Sequence, residues 1–257
     1  MNRIEKIFQI RSEKVIPFLT AGYPSKDDTV DMVLAAEKSG AAMVELGMPF
    51  SDPLADGHII QKASQKAIEN GVNISWILAA VYKIRAQSEI PLVLMGYINP
   101  ILKYGTVKFI SDCQNAGVDG LIIPDLPPEE AEEFVRLAKE AGICPILLVA
   151  PNTPDDRIRD ISNMAGTLIY CVAILGITGE AGANRGDLQQ YLKRVEKNSE
   201  CPFVVGFGIK ERSDVIEINQ MAHGAVVGSA IIDQLQNSKD PVNVINKYIQ
   251  KLTKGIK

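Results

Sequence analysis

The sequence predicts an α/β protein built as a single closed (β/α)8 barrel, and three observations carry that prediction. Eight short apolar runs recur along the chain, segments of helical period lie between most of them, and 257 residues suit one large α/β domain better than a small sandwich. The runs cover 15–19, 43–47, 92–97, 120–125, 145–150, 167–172, 203–208 and 225–229. Each is nearly continuous in aliphatic and β-branched residues, as strands buried on both faces are. Repeated strand-then-helix units imply parallel pairing, and eight of them in a chain of this length favour closure over an open, doubly wound sheet.

Taken in order, the elements add detail. Ahead of the first run, Ile4, Ile7 and Phe8 space an extra, short amphipathic helix that suits the bottom of the barrel. Residues 27–39 repeat Val30, Val33, Leu34 and Glu37 at helical intervals and stop at Gly40. The second unit, from Met43 to Leu92, is longer than one helix requires. It opens on Pro49-Phe50-Ser51-Asp52-Pro53-Leu54-Ala55-Asp56-Gly57, too rich in proline for a helix or sheet interior. Trp76 sits in a helical pattern with Ile74, Ile77 and Leu78 and reads as core or helix-layer packing. Residues 128–140 turn Phe134, Val135, Leu137 and Ala138 inward and end just before Gly142. The sixth unit carries a second long loop, the glycine-dense 176–186. Val244, Ile245, Tyr248, Ile249 and Leu252 form a closing helix. With no linker and no low-complexity tract, residues 1–257 read as a single domain.

Composition narrows the function classes. With 27 basic and 31 acidic residues the net charge is −4, so nucleic acid and anionic membrane are poor partners on charge grounds. No run approaches a membrane span, and the start, Met1-Asn2-Arg3-Ile4-Glu5-Lys6, lacks the apolar core of a signal peptide. Cys113, Cys144, Cys171 and Cys201 are scattered without a Cys-x-x-Cys pair and read as free thiols. His58 and His223 are the only histidines, which makes a metal site improbable. The expectation is a cytoplasmic, metal-free domain.

The chemistry-bearing residues gather where barrel active sites are built, at the C-terminal ends of the strands. Glu45 lies inside the otherwise apolar Ala42-Met43-Val44-Glu45-Leu46-Gly47 and points either into the barrel mouth or into the helix layer. Burial raises the pKa of such a group toward neutrality, which suits proton transfer; a structural ion pair with a barrel lysine is the competing reading. Asp52 and Asp56 follow on the proline-rich loop. Either alone is as well explained as a turn cap, yet a strand carboxylate with an acidic loop beside it offers two carboxyls in one mouth. Val205-Gly206-Phe207-Gly208-Ile209 and Val227-Gly228-Ser229-Ala230 end the seventh and eighth strands. Their glycines, with the Ser229 hydroxyl at a helix start, fit a phosphate held by backbone N–H groups; relief of crowding where strands meet is the competing reading. The 176–186 loop is either a flexible surface segment or a lid, with Thr178 placed to bond an active-site carboxylate. His58 stands at the mouth, and His223 precedes the eighth strand and reads as structural.

These blocks together resemble the tryptophan synthase alpha chain family. The resemblance runs through Pro17-Phe18-Leu19-Thr20-Ala21-Gly22-Tyr23-Pro24, the segment from Val44 to Gly57, Tyr97-Ile98-Asn99-Pro100, Pro124-Asp125-Leu126-Pro127, Gly176-Ile177-Thr178-Gly179 and Gly206-Phe207-Gly208-Ile209, in order and over nearly the whole chain. It implies a carbon–carbon lyase of amino-acid biosynthesis that splits indole-3-glycerol phosphate into indole and glyceraldehyde 3-phosphate. By position it implies Glu45 as the acid/base and Asp56 as the carboxylate at the indole nitrogen. Phe18, Tyr97, Tyr170 and Phe207 then line the pocket, Thr178 engages the aspartate from the lid, and Gly179, Gly208, Gly228 and Ser229 meet the phosphate. Pro49, Asp52 and Asn99 face a beta subunit in an α2β2 tetramer, with pyridoxal phosphate in that partner and no cofactor in this chain. Ala173, Ile174 and His58 depart from the family's usual residues at the lid and partner face. Two other readings stay open: a stand-alone lyase of the same chemistry, and a catalytically weak subunit that activates beta.

Overall fold

Parallel segments pair edge to edge in the order of a ring. The computed structural model describes residues 1–172, 185–206 and 208–253. The strands are β1 (Val15–Thr20), β2 (Val44–Gly47), β3 (Leu92–Met95), β4 (Gly120–Ile122), β5, β6 (Ile169–Val172), β7 (Phe203–Gly206) and β8 (Ala225–Val227). β5 consists of two pieces, Cys144–Pro145 and Leu147–Val149, on either side of Ile146. The first piece pairs with β4 and the second with β6, while β1 lies between β2 and β8, so the eight strands close into a barrel.

Most strands stop one to three residues short of the apolar runs that predicted them. The run through Tyr97 ends its pairing at Met95, and the run through Asp125 ends at Ile122, just before Pro124, which has no N–H to offer. The residues beyond form the mouth.

Alternation along the strands divides the apolar residues into two cores. Ile16, Met43, Val93, Ile122, Ile146, Leu168, Val204 and Val226, one from each strand or its first flank, fill the barrel. Their neighbours, among them Val15, Leu19, Val44, Leu46, Leu92 and Leu94, face the helices. Below the inner core lies α1 (Arg3–Phe8). Its Ile4 is fully buried and belongs to the inner cluster. The Asn2 side chain caps α1 by accepting from the Ile4 N–H at 2.9 Å and donates to the carbonyls of Asp119 and Gly142. Gly120 gives Ile4 room, since a methyl group there would fall 2.8 Å from the Ile4 Cδ1. The sequence-predicted plug is therefore a fitted part.

The outer layer contains α2 (Thr29–Lys38), α3 (His58–Glu69), α4 (Ile74–Arg85), α5 (Ile98–Tyr104), α6 (Thr106–Ala116), α7 (Glu132–Glu140), α8 (Asp155–Ala165), α9 (Arg185–Asn198), α10 (Arg212–Met221), α11 (Ser229–Leu235) and α12 (Pro241–Thr253). The surplus length of the second unit is accounted for by two helices, α3 and α4. Within 128–140 the chain makes a 3-10 turn, Pro128–Glu130, before α7. α12 packs on α2, and its Thr253 hydroxyl donates to the Ser39 carbonyl at 2.7 Å, tying the end of the described chain to the first unit. Among the described residues no helix is long and apolar enough to cross a membrane. All four cysteines are buried free thiols. His223 stacks edge-on against Phe203 with 5.1 Å between ring centroids, and its Nδ1 accepts from the Phe203 N–H. Trp76 is half-buried in the helix layer with the Lys26 ammonium over its ring.

Candidate active site

The pleat of β2 settles where Glu45 points. Met43 belongs to the inner cluster, and Glu45, two residues on, shares its face, whereas Val44 and Leu46 pack outward. Glu45 is thus inside the barrel, fully buried, and neither carboxyl oxygen has a hydrogen-bond partner. The alternative of a structural ion pair with a lysine finds no support in that environment. An unpartnered, buried carboxylate is costly, so the group holds its proton: burial pushes its pKa up to about 8.

Two aromatic rings flank it. Phe18 stands beside Glu45 in the β1–β2 register, and its ring lies where a side chain on Gly47 would be. Across the mouth, the Tyr170 hydroxyl occupies the corresponding space beside Gly206 on β7. A methyl group at either glycine would overlap the ring, so both positions require glycine for close approach. Burial, then the charges of Glu45, Cys171 and Asp56, push the Tyr170 hydroxyl well above its ordinary pKa. The tyrosine therefore lies within electrostatic reach of both candidate carboxyls.

Asp56 ends the proline-rich loop, one residue before Gly57, the N-cap of α3. The third unit fixes this loop. Tyr97 follows β3 as the N-cap residue of α5; its hydroxyl oxygen accepts from the Ala55 N–H at 3.1 Å, and its O–H donates to the Asp56 carboxylate. The Phe50 ring lies 5.3 Å from the Tyr97 ring, closing the same loop from its other end. Burial pushes the Asp56 carboxyl up to about 6, and the Tyr97 hydrogen bond holds it down against that trend. The two carboxyls thus occupy different surroundings, one dry and unpartnered, the other partly exposed and hydrogen-bonded, and their pKa values are driven apart.

At the far side of the mouth β7 ends at Gly206, and Gly208 has a φ of 34°, with no described residue other than its chain neighbours within 4 Å of where a methyl group would stand. β8 leads through Gly228, the N-cap of α11, to Ser229 at that helix's first position. Gly228 adjoins Phe18: a methyl group on it would stand 3.7 Å from the Phe18 Cβ. Thr178, Gly179 and Phe207, with Ala173 and Ile174, lie outside the described residues. Pro49 is half-buried on the loop, Asp52 is exposed and accepts from the Ser51 hydroxyl at 2.5 Å, and Asn99 is exposed on α5. His58 is exposed at the start of α3.

Two features escaped the sequence reading. Tyr97 was expected only as a pocket wall, whereas it also clamps the Asp56 loop from 42 residues away. The glycine requirement at 47 was signalled only by its place at a strand end, whereas crowding at 206 was the competing reading of that glycine.

Residues 5–256 match the sequence profile described as tryptophan synthase alpha chain. The chain belongs to the tryptophan synthase alpha chain family. A family member from Petrotoga mobilis is 44% identical over 257 residues, covering 100% of this chain and 99% of its own. The crystal structure of tryptophan synthase subunit alpha from Legionella pneumophila superimposes with a TM-score of 0.92 at 33% identity, covering 100% of this chain and 98% of that one. A chain of the Pyrococcus furiosus tryptophan synthase complex gives 0.87 at 34% identity over 95% of this chain and 98% of its own. Membership in the tryptophan synthase alpha chain family makes this chain a lyase acting on indole-3-glycerol phosphate.

Proposed function

We propose that this chain is the alpha subunit of a tryptophan synthase and cleaves indole-3-glycerol phosphate by a retro-aldol reaction carried by Glu45 and Asp56. The observation that carries the reading is the buried Glu45 carboxyl, unpartnered and protonated near neutrality, inside a barrel mouth that also holds Asp56. Protonated Glu45 delivers its proton to indole C3. The positive charge that then develops at N1 is stabilised by the Asp56 carboxylate. Glu45, now ionised, takes the proton of the glycerol hydroxyl next to the scissile bond. The carbon–carbon bond breaks, its electron pair restores the aromatic ring, and the aldehyde leaves, so Glu45 ends as it began. General acid–base action contributes about 10²–10⁴-fold. Orientation contributes the remainder, with the phosphate at Gly179, Gly208, Gly228 and Ser229 and the bicycle between Phe18, Tyr97, Tyr170 and Phe207.

The partner reading is supported at the rim. Leu54 is 89% exposed on the same loop as Pro49 and Asp52, and Leu102 is exposed one turn beyond Asn99 on α5. These side chains add apolar surface beside the mouth that a protein partner can cover. A related chain from Pyrococcus furiosus comes from an α2β2 complex whose subunits activate one another. The beta subunit is the corresponding partner here, and pyridoxal phosphate belongs to it.

The test is indole release from indole-3-glycerol phosphate by the purified chain, with and without a beta subunit. Cleavage that accelerates strongly on adding beta supports the proposal. Fast cleavage indifferent to beta makes the chain a stand-alone lyase, and activation of beta without cleavage makes it a regulatory subunit. Glu45→Gln abolishes cleavage with the fold and phosphate binding intact. Near-normal turnover in that variant removes Glu45 from the mechanism.

A further inference from the structure

Among the described residues, the buried side-chain oxygens without a hydrogen-bond partner belong to three residues, Glu13, Thr20 and Glu45. Glu13 has an explanation away from the mouth, in an ion pair with Arg212 at 2.6 Å. Glu45 is explained by the proton it handles. Thr20 remains: it is 1% exposed, its Oγ1 bonds to nothing, and its backbone already serves the ring and the turn that follows. A buried hydroxyl left unsatisfied carries the full cost of its lost hydration, so a partner that arrives with the ligand is the natural explanation.

The placement of Thr20 says which part of a ligand that is. Ile16 is in the inner core and the Phe18 ring leans over Gly47, so Thr20, next on the same face of β1, points into the mouth. In register it stands opposite Gly47, two residues above Glu45, and Gly47 sends no side chain toward it. On its other side β1 pairs with β8, which runs into Gly228 and Ser229. Thr20 therefore lies between the acid/base on β2 and the phosphate turn after β8. Strands β2 and β8 are separated by two strand spacings, about 10 Å. A substrate with its reacting carbon at one and its phosphate at the other must draw its glycerol chain across the end of β1. That chain has two hydroxyls. One loses its proton to Glu45, and the other takes no part in bond breaking.

Resting on the reading of the site given above, we infer that the Thr20 hydroxyl bonds to the non-reacting hydroxyl of the glycerol chain and so positions the scissile bond over Glu45. Thr20 is a positioning and specificity residue, one that distinguishes a dihydroxylated phosphate tail from a deoxy tail of the same length.

The test pairs two variants with two substrates. Thr20→Val keeps the shape and removes the hydroxyl, while Thr20→Ser keeps the hydroxyl. The substrates are indole-3-glycerol phosphate and its analogue lacking the non-reacting hydroxyl. Thr20→Val lowers kcat/KM for the full substrate about tenfold, and Thr20→Ser restores most of it. On the deoxy analogue wild type and Thr20→Val are equal within about twofold, because the bond they differ by is absent from both. Thermal melting of Thr20→Val stays at or above that of wild type, since an unsatisfied polar group has been removed. Equal activity of Thr20→Val and wild type on the full substrate overturns the inference. So does a loss of the same size on both substrates, which would mark a packing role. Failure of wild type to cleave indole-3-glycerol phosphate would instead overturn the underlying reading, so the two failures are distinguishable.

Discussion

A single carboxyl with no partner fixes much of the behaviour of this chain. Because Glu45 holds a proton in the folded protein that the unfolded chain releases near its ordinary pKa of 4.5, stability falls as pH rises from there to about 8 and then levels off. Glu45→Gln lacks this decline, so urea denaturation at pH 5 and pH 8 shows the variant gaining on wild type at the higher pH. A gap that stays constant would mean the carboxyl is solvated. The rate profile follows from the same two groups. Asp56 must be ionised and Glu45 protonated, so kcat/KM rises through about pH 6 and falls above about pH 8. Tyr97→Phe removes a hydrogen bond that favours ionised Asp56, and its acid limb moves to higher pH; a limb that does not move separates Tyr97 from Asp56. Glu45 was legible from the letters alone, because one carboxylate in an apolar strand has few reasons to be there. Its direction was not, since only the parity set by Met43 separates mouth from helix layer. The tie from Tyr97 to the Asp56 loop was invisible because it joins residues from two different units.

At the scale of elements, the barrel is read from its eight apolar runs and the plug from three residues of α1. Ile4 is fully buried in the inner core, which it enters from below beside Gly120, so Ile4→Ala costs about 2–5 kcal/mol in chemical denaturation and leaves kcat near wild type. A loss of activity without a loss of stability would show that the bottom communicates with the mouth. The strand ends were less legible than the strands. Apolar side chains continue past the last ladder bond because the mouth is also dry, as Tyr97 and Ile123 illustrate beyond β3 and β4. The break in β5 was likewise hidden, since Pro145 and Ile146 read as one run and only the pairing shows the strand changing neighbours there. The division of the second unit into α3 and α4 was foreshadowed only by its length.

For the whole molecule, the rim decides what the chain works with. Leu54→Arg places a charge where the proposal seats the beta subunit. Basal indole release is unchanged and the acceleration by beta is lost, as titration of beta into either protein reads directly. Acceleration that survives the substitution moves the contact elsewhere on the rim. The packed axis below has a further meaning. With Ile4 seated against Gly120 and every strand contributing to the inner core, the described barrel is packed shut at its bottom, which leaves the mouth as the way in and out. Arrivals and departures exclude one another there. A small aromatic supplied from bulk solution must therefore compete with substrate for the same opening, and whatever sits across that opening governs how long the aromatic product stays inside.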